Sequence, residues 1–232
     1  VTGKPGEAIR AYTRAIELEP ENAKALLSRA KIYVLNNEMQ KAITDYSEVI
    51  RIYPDNSDLF RIRGTLFFSM QNYSKAIEDY SEAIRLDPAG YKAFYSRACV
   101  FGYMKKYTEA ADDASRAIAL KPDFDESYRV RGSARFMLGD LNGAIDDLTK
   151  SIELGPGDFR AYHDRGTVWN KLNNFKDAIK DFTEAIRLKP DSAESYYYRG
   201  ESKNMAGDSA GAGEDYGNAC SLDPRYLSKP YQ

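Results

Sequence analysis

The sequence predicts an all-α fold, a solenoid of antiparallel helix pairs repeated about six and a half times at a period of 34 residues. Three observations carry that expectation. Prolines stand at Pro20, Pro54, Pro88, Pro122, Pro156, Pro190 and Pro224, each 34 residues after the last. Twelve residues before each of them sits an alanine: Ala8, Ala42, Ala76, Ala110, Ala144, Ala178 and Ala212. No insertion breaks the register. One small supersecondary unit is therefore written repeatedly, and a unit of that size buries its faces only by stacking on its neighbours.

Taken in order, residues 1–22 read as a half repeat, because Val1 falls at position 13 when the proline is counted as position 32. The chain is thus expected to start inside a repeat. Six full repeats follow, at 23–56, 57–90, 91–124, 125–158, 159–192 and 193–226. With the half repeat they are expected to form a single solenoid over 1–226, followed by a tail, 227–232, in which Pro230 opposes a further helix. The repeat at 125–158 shows the internal plan. "ESYRVRGSARFML" places Tyr128, Arg131, Gly132 and Arg135 at helical spacing on one face. Gly139-Asp140 marks a turn. "LNGAIDDLTKSIEL" then aligns Ala144, Leu148, Ser151 and Ile152, and Gly155-Pro156 ends that helix.

Small residues at position 8 (Ala30, Gly64, Ala98, Gly132, Gly166, Gly200) and alanine at position 20 allow the two helices of a repeat to approach closely. Large residues at position 4 (Leu26, Phe60, Phe94, Tyr128, Tyr162, Tyr196) are expected to fill the space between repeats. The last second helix departs from the plan. It carries Gly211, Gly213 and Gly217, each costing about 1 kcal/mol of helix propensity, and reads as a polar cap.

Two charges recur without exception. Position 7 is Arg29, Arg63, Arg97, Arg131, Arg165 and Arg199; position 23 is Asp45, Asp79, Asp113, Asp147, Asp181 and Asp215. Each arginine is expected to pair with an aspartate of its own or the preceding repeat. The planar guanidinium fork suits a carboxylate at such a site.

The 34-residue unit, its small residues at positions 8, 20 and 27, its aromatics and its proline at 32 together resemble the tetratricopeptide repeat family, and the Arg and Asp series its Arg-Gly variant. The resemblance covers nearly the whole chain. It implies a right-handed superhelix whose concave side binds extended peptides, lined by positions 2, 5, 9, 12 and 13 of each first helix. Here that stripe holds Lys31, Arg61, Phe68, Tyr95, Tyr103, Arg129, Phe136, Arg160, His163, Lys171 and Tyr197. It is net positive in a chain whose formal charge is −2. An extended segment with carboxylates and apolar anchors is the expected partner. The carboxylate clamp of the chaperone-binding members is incomplete, because no asparagine occupies position 9 in any repeat.

Other chemistry finds little support. No catalytic residue, metal or cofactor is expected. His163 is the single histidine and no nucleophile signature accompanies it. Cys99 and Cys220 are far apart, outside any ligand spacing, and fit a reducing, cytoplasmic setting. "GAGEDYG" at 211–217 follows no strand, so it fails the context test for a phosphate loop. The net charge argues against nucleic acid. No apolar run reaches the ~18 residues of a membrane span. The chain is expected to be a non-catalytic interaction module, monomeric or self-associating through its repeat ends. The alternatives are a structural scaffold assembled through those ends, or the repeat region of a larger enzyme or co-chaperone.

Overall fold

The repeat proline sets the helix boundaries. Each second helix stops two residues before it and each first helix starts three residues after it, because the residue preceding proline is pushed out of the helical region. The computed structural model describes residues 5–228, so Val1 and Pro230 lie outside the described residues. Two compact units divide the chain, Val1–Met104 and Lys105–Gln232. The first unit holds α1 (Pro5–Leu18), α2 (Ala23–Leu35), α3 (Met39–Ile52), α4 (Ser57–Ser69), α5 (Tyr73–Leu86) and α6 (Tyr91–Tyr103). The second holds α7 (Tyr107–Leu120), α8 (Asp125–Leu138), α9 (Leu141–Leu154), α10 (Phe159–Lys171), α11 (Phe175–Leu188), α12 (Ala193–Met205) and α13 (Ser209–Leu222), then a 3₁₀ turn at Pro224–Ser228. Among the described residues the fold is all-helical, as the repeat pattern requires. The glycine-rich "GAGEDYG" lies inside α13.

Within each unit every helix packs on its neighbours in sequence. The even-numbered helices also approach one another, α4 meeting α6, and α10 meeting both α8 and α12. They form one layer in each unit and present a shared face.

The turn between the helices of a repeat uses a left-handed residue at a fixed place: Asn37, Gln71, Lys105, Gly139, Asn173 and Gly207, with φ from 58° to 91°. The next residue donates its N–H back to the helix, as Asn72 does to Phe67 O at 2.8 Å and Asp140 to Arg135 O at 2.9 Å. Where that residue is Asn or Asp it also caps the following helix, Asn72 Oδ1 accepting from Lys75 N and Asp140 Oδ1 from Gly143 N, whereas Glu38 and Lys106 make no such cap. At the Asn and Asp turns one residue thereby closes one helix and opens the next. A left-handed glutamine carries a steric cost that glycine avoids. Gln71→Gly relieves a left-handed cost of roughly 1–2 kcal/mol and adds glycine's unfolded-state entropy of roughly 0.5–1 kcal/mol, so it is expected to stabilise the protein by about 0.5–1 kcal/mol, read as a rise in the urea midpoint; an unchanged or lower midpoint counts against it.

The seam inside a repeat seats a large side chain on a small position 8 residue, a ring on a glycine at Gly64, Gly166 and Gly200. A Cβ added at Gly166 would meet the Phe182 ring at 3.0 Å, one at Gly64 the Tyr80 ring at 3.0 Å, and one at Gly132 the Leu148 side chain at 2.8 Å. The position 4 residues behave differently from expectation. Leu26 is buried, but Phe60, Phe94, Tyr128, Tyr162 and Tyr196 stay half-exposed. Guanidinium groups lie over Phe60, Tyr128 and Tyr196 at 5.5–5.7 Å, a cation–π contact at each ring.

The arginine and aspartate series lock the repeats that lie within one unit. Arg165 Nε and Nη2 donate to the two oxygens of Asp181, both at 2.8 Å. Arg63 grips Asp79 at 2.8 and 2.7 Å, and Arg29, Arg131 and Arg199 hold Asp45, Asp147 and Asp215 in the same way. The carboxylate comes from the arginine's own repeat. The remaining guanidinium edge reaches the preceding repeat, where Nη1 donates to a hydroxyl: Arg29 to Thr13, Arg63 to Ser47, Arg97 to Ser81, Arg131 to Ser115, Arg165 to Thr149 and Arg199 to Thr183. Arg97 and Asp113 belong to different units. Because these aspartates are buried, the guanidinium supplies compensation that water would otherwise give.

Candidate functional site

The even-helix layer carries the side chains expected to meet a partner, and each unit presents its own set. In the first unit Lys31 is exposed on α2. Arg61, on α4, is half-buried and already engaged, with Nε and Nη2 on Asp58 Oδ1 at 3.1 and 2.8 Å. Phe68 and Tyr103 meet edge to face at 5.1 Å, and Tyr73 of α5 joins them. Tyr103 remains 69% exposed. Tyr95 is half-buried on α6. A cavity of about 300 Å³ opens where α4 and α6 begin, lined by Asp58, Arg61, Asp87, Tyr91 and Lys92 among others. The first turn of α6 has no side-chain cap, because its N-cap is Gly90.

In the second unit the arginines are again committed. Arg129 Nε lies 3.3 Å from Asp158 Oδ2 and its Nη1 lies 3.6 Å from Asp164 Oδ2. Arg160 is exposed and holds Asp158 at 2.8 Å. Burial opposes the charge of Asp158, yet Arg160 and Arg129 bring its titration below the ordinary value. Asp164 goes the other way, since burial raises it despite Arg129. Lys171 is exposed in the last turn of α10. Phe136 is half-buried beside His163 and Asp164 at a cavity of about 230 Å³, completed by Ser133, Met137, Leu148, Thr167, Val168, Glu194 and Tyr198.

One expected anchor is misplaced. Tyr197 is only 7% exposed and packs on Tyr198, Tyr216 and Tyr226. The 3₁₀ turn after α13 brings Tyr226 over it, so burial takes the ring out of reach. Burial and the charge of Glu201 push its hydroxyl titration far up. Tyr198, the next residue, faces the cavity instead.

His163 makes the one arrangement that superficially suggests catalysis. Its Nδ1 lies 3.0 Å from Ser195 Oγ and its Nε2 lies 3.9 Å from Glu194. Ser195 is fully buried and also shares a hydrogen bond with Ser192. A nucleophile must reach its substrate, and this hydroxyl does not reach any surface. The contact fixes the imidazole, which stands edge-on to Phe182 and Tyr198 at 5.4 and 5.7 Å. No group of residues suited to hold a metal ion occurs among the described residues, and no helix there is long and apolar enough to cross a membrane.

Stacked helix pairs that offer aromatic, charged and cavity-lining side chains along one layer define an all-helical repeat protein built to present a surface. The chain belongs to the tetratricopeptide repeat family: two sequence models described as tetratricopeptide repeat match it, one over residues 2–57 and 95–159, the other over 58–89 and 159–192. Repeats of this family are in general non-catalytic protein-interaction modules. No curated protein matches the chain significantly. Its fold is similar to that of a tetratricopeptide repeat protein from Parabacteroides merdae, at TM-score 0.75 and 19% identity, over 94% of this chain and 87% of the other. It is also similar to pilF of Pseudomonas aeruginosa, at TM-score 0.74 and 17% identity, over 95% of this chain and 94% of the other. A third similar structure is YrrB, described as having an unusual peptide-binding site, at TM-score 0.62 and 19% identity, over 78% of this chain and 94% of the other.

Proposed function

We propose that the chain is a non-catalytic binding module that holds an extended segment of another protein along the even-helix layer, with apolar anchors and carboxylates of that segment meeting the layer's rings and cations. The observation that carries this reading is the Phe68, Tyr73 and Tyr103 cluster. Large rings packed together, half-buried at Phe68 and Tyr73 and 69% exposed at Tyr103, are the side chains that dominate binding energy when a partner covers them. The charges add direction. Arg61 and Arg160 are shared with aspartates of their own repeats or the turn just before them, so Lys31, Lys92 and Lys171 are the cations that a segment's carboxylates would meet. The uncapped start of α6 beside Lys92 favours the same sign. YrrB, a protein of similar fold, has a peptide-binding site, which supports the class of partner.

An array of random decapeptides probed with the parent identifies binders, and calorimetry on the strongest gives the affinity. Tyr103→Ala is expected to weaken that peptide by about 30-fold, the loss of one aromatic hot spot, with an unchanged melting curve because the ring is exposed. Equal affinity of parent and variant overturns the reading.

A further inference from the structure

The cavity of the second unit differs in sign from the rest of the layer. Its walls are Phe136 and Met137 of α8, Leu148 of α9 and Val168 of α10. Its polar groups include two carboxylates, Asp164 of α10 and Glu194 of α12, from different helices. Asp164 Oδ2 accepts a hydrogen bond from the Ser133 hydroxyl at 2.9 Å. The nearest guanidinium nitrogen, Arg129 Nη1, is 3.6 Å away, too long for a hydrogen bond, and Arg129 is also drawn to Asp158. Asp164 is therefore a part-buried carboxylate whose burial, which pushes its titration up, outweighs what Arg129, His163 and the Ser133 hydroxyl give back. Glu194 stands at the open side with a side chain 60% exposed. His163 lines the same cavity, its Nε2 3.9 Å from Glu194 Oε1 and its Nδ1 held by Ser195.

We infer that this cavity is a subsite for one lysine side chain of the bound segment, its aliphatic stem against Phe136, Met137 and Val168 and its ammonium group between Asp164 and Glu194. The inference rests on the reading of the layer as a segment-binding surface. Size and charge choose the occupant. About 230 Å³ holds one long side chain and not a helix. Apolar walls suit a methylene stem, and the carboxylates ask for a cation. Carboxylates on two separate helices surround a point charge, whereas a guanidinium is best met by one planar carboxylate fork.

N-acetyl-lysine-N′-methylamide is the probe, with the norleucine analogue as a control of equal stem and no charge. Proton–nitrogen NMR titration is expected to show saturable shifts of the Thr167 and Tyr198 amides with the lysine compound. The norleucine compound is expected to bind about tenfold more weakly. Asp164→Asn keeps an acceptor for Ser133 and removes the charge, and Glu194→Gln removes the second charge. Either variant is expected to keep the parent's melting curve and to lose the preference for lysine. Equal shifts from both compounds, or a lysine preference that survives in Asp164→Asn and Glu194→Gln together, overturn the subsite. The two readings fail separately. A peptide whose binding depends on Tyr103 but not on Asp164 or Glu194 leaves the segment reading standing without this subsite. Lysine-specific shifts with no peptide binding on the array support the cation site and overturn the segment reading.

Discussion

Arg165→Ala is expected to lower the free energy of unfolding by about 3–5 kcal/mol, the cost of stranding a buried charge. Asp181 is 2% exposed, and Arg165 occupies both of its oxygens. The same guanidinium also reaches Thr149 on α9 at 2.9 Å, so the lesion loosens the preceding repeat as well. The prediction separates Arg165 from Arg131 and Arg199. Asp147 has a second cation, Arg135 Nη1 at 2.8 Å, and Asp215 has Lys203 Nζ at 2.9 Å. In Arg131→Ala and Arg199→Ala the carboxylate keeps one charged partner, so each variant loses about 1.5–3 kcal/mol, the worth of hydrogen bonds to a charged group. Urea denaturation of the three variants, followed by far-ultraviolet circular dichroism, orders them. Equal losses at all three positions would mean that Arg135 and Lys203 compensate nothing.

That difference marks the boundary of what a repeating sequence discloses. The period fixes where helices start and stop, because every proline and every position 8 residue acts through local geometry that each copy repeats. It also makes the arginine and aspartate partners visible as types, but not which copy supplies the carboxylate. A signal for the third member was present: Thr13, Ser47, Ser81, Ser115, Thr149 and Thr183 are all hydroxyl residues, each sixteen before an arginine. The left-handed turn position was hidden, since only Gly139 and Gly207 of the six are glycine. Where one copy differs from the others, the pattern misleads. Tyr197 holds the register position of an inner-face residue, yet Tyr226 from the final turn covers it. The groove arginines were legible as cations but not as engaged ones. Asp58 and Asp158 stand three and two residues before Arg61 and Arg160, a local spacing, whereas only the folded chain brings Asp158 and Asp164 to Arg129.

Phe182→Ala is expected to cost about 3–5 kcal/mol, the range for emptying a core aromatic site, and to disturb the lysine subsite at the same time. The ring is fully buried on the face of Gly166, whose missing side chain made room for it. Gly166 therefore has nothing with which to refill the space. The ring also stacks on Tyr198 at 6.1 Å and meets the His163 edge at 5.4 Å, so its loss removes the floor on which two cavity-lining groups rest. A tyrosine at the same place is a sharper control. The equivalent residue of another repeat is Tyr80, whose hydroxyl donates to Thr65 at 3.1 Å, and Thr167 holds the position that corresponds to Thr65. Phe182→Tyr is expected to fold with stability within about 1 kcal/mol of the parent, because the added hydroxyl finds a ready acceptor. A Phe182→Ala loss below that of Phe182→Tyr would mean that rings seated on glycines are not what joins the two helices of a repeat.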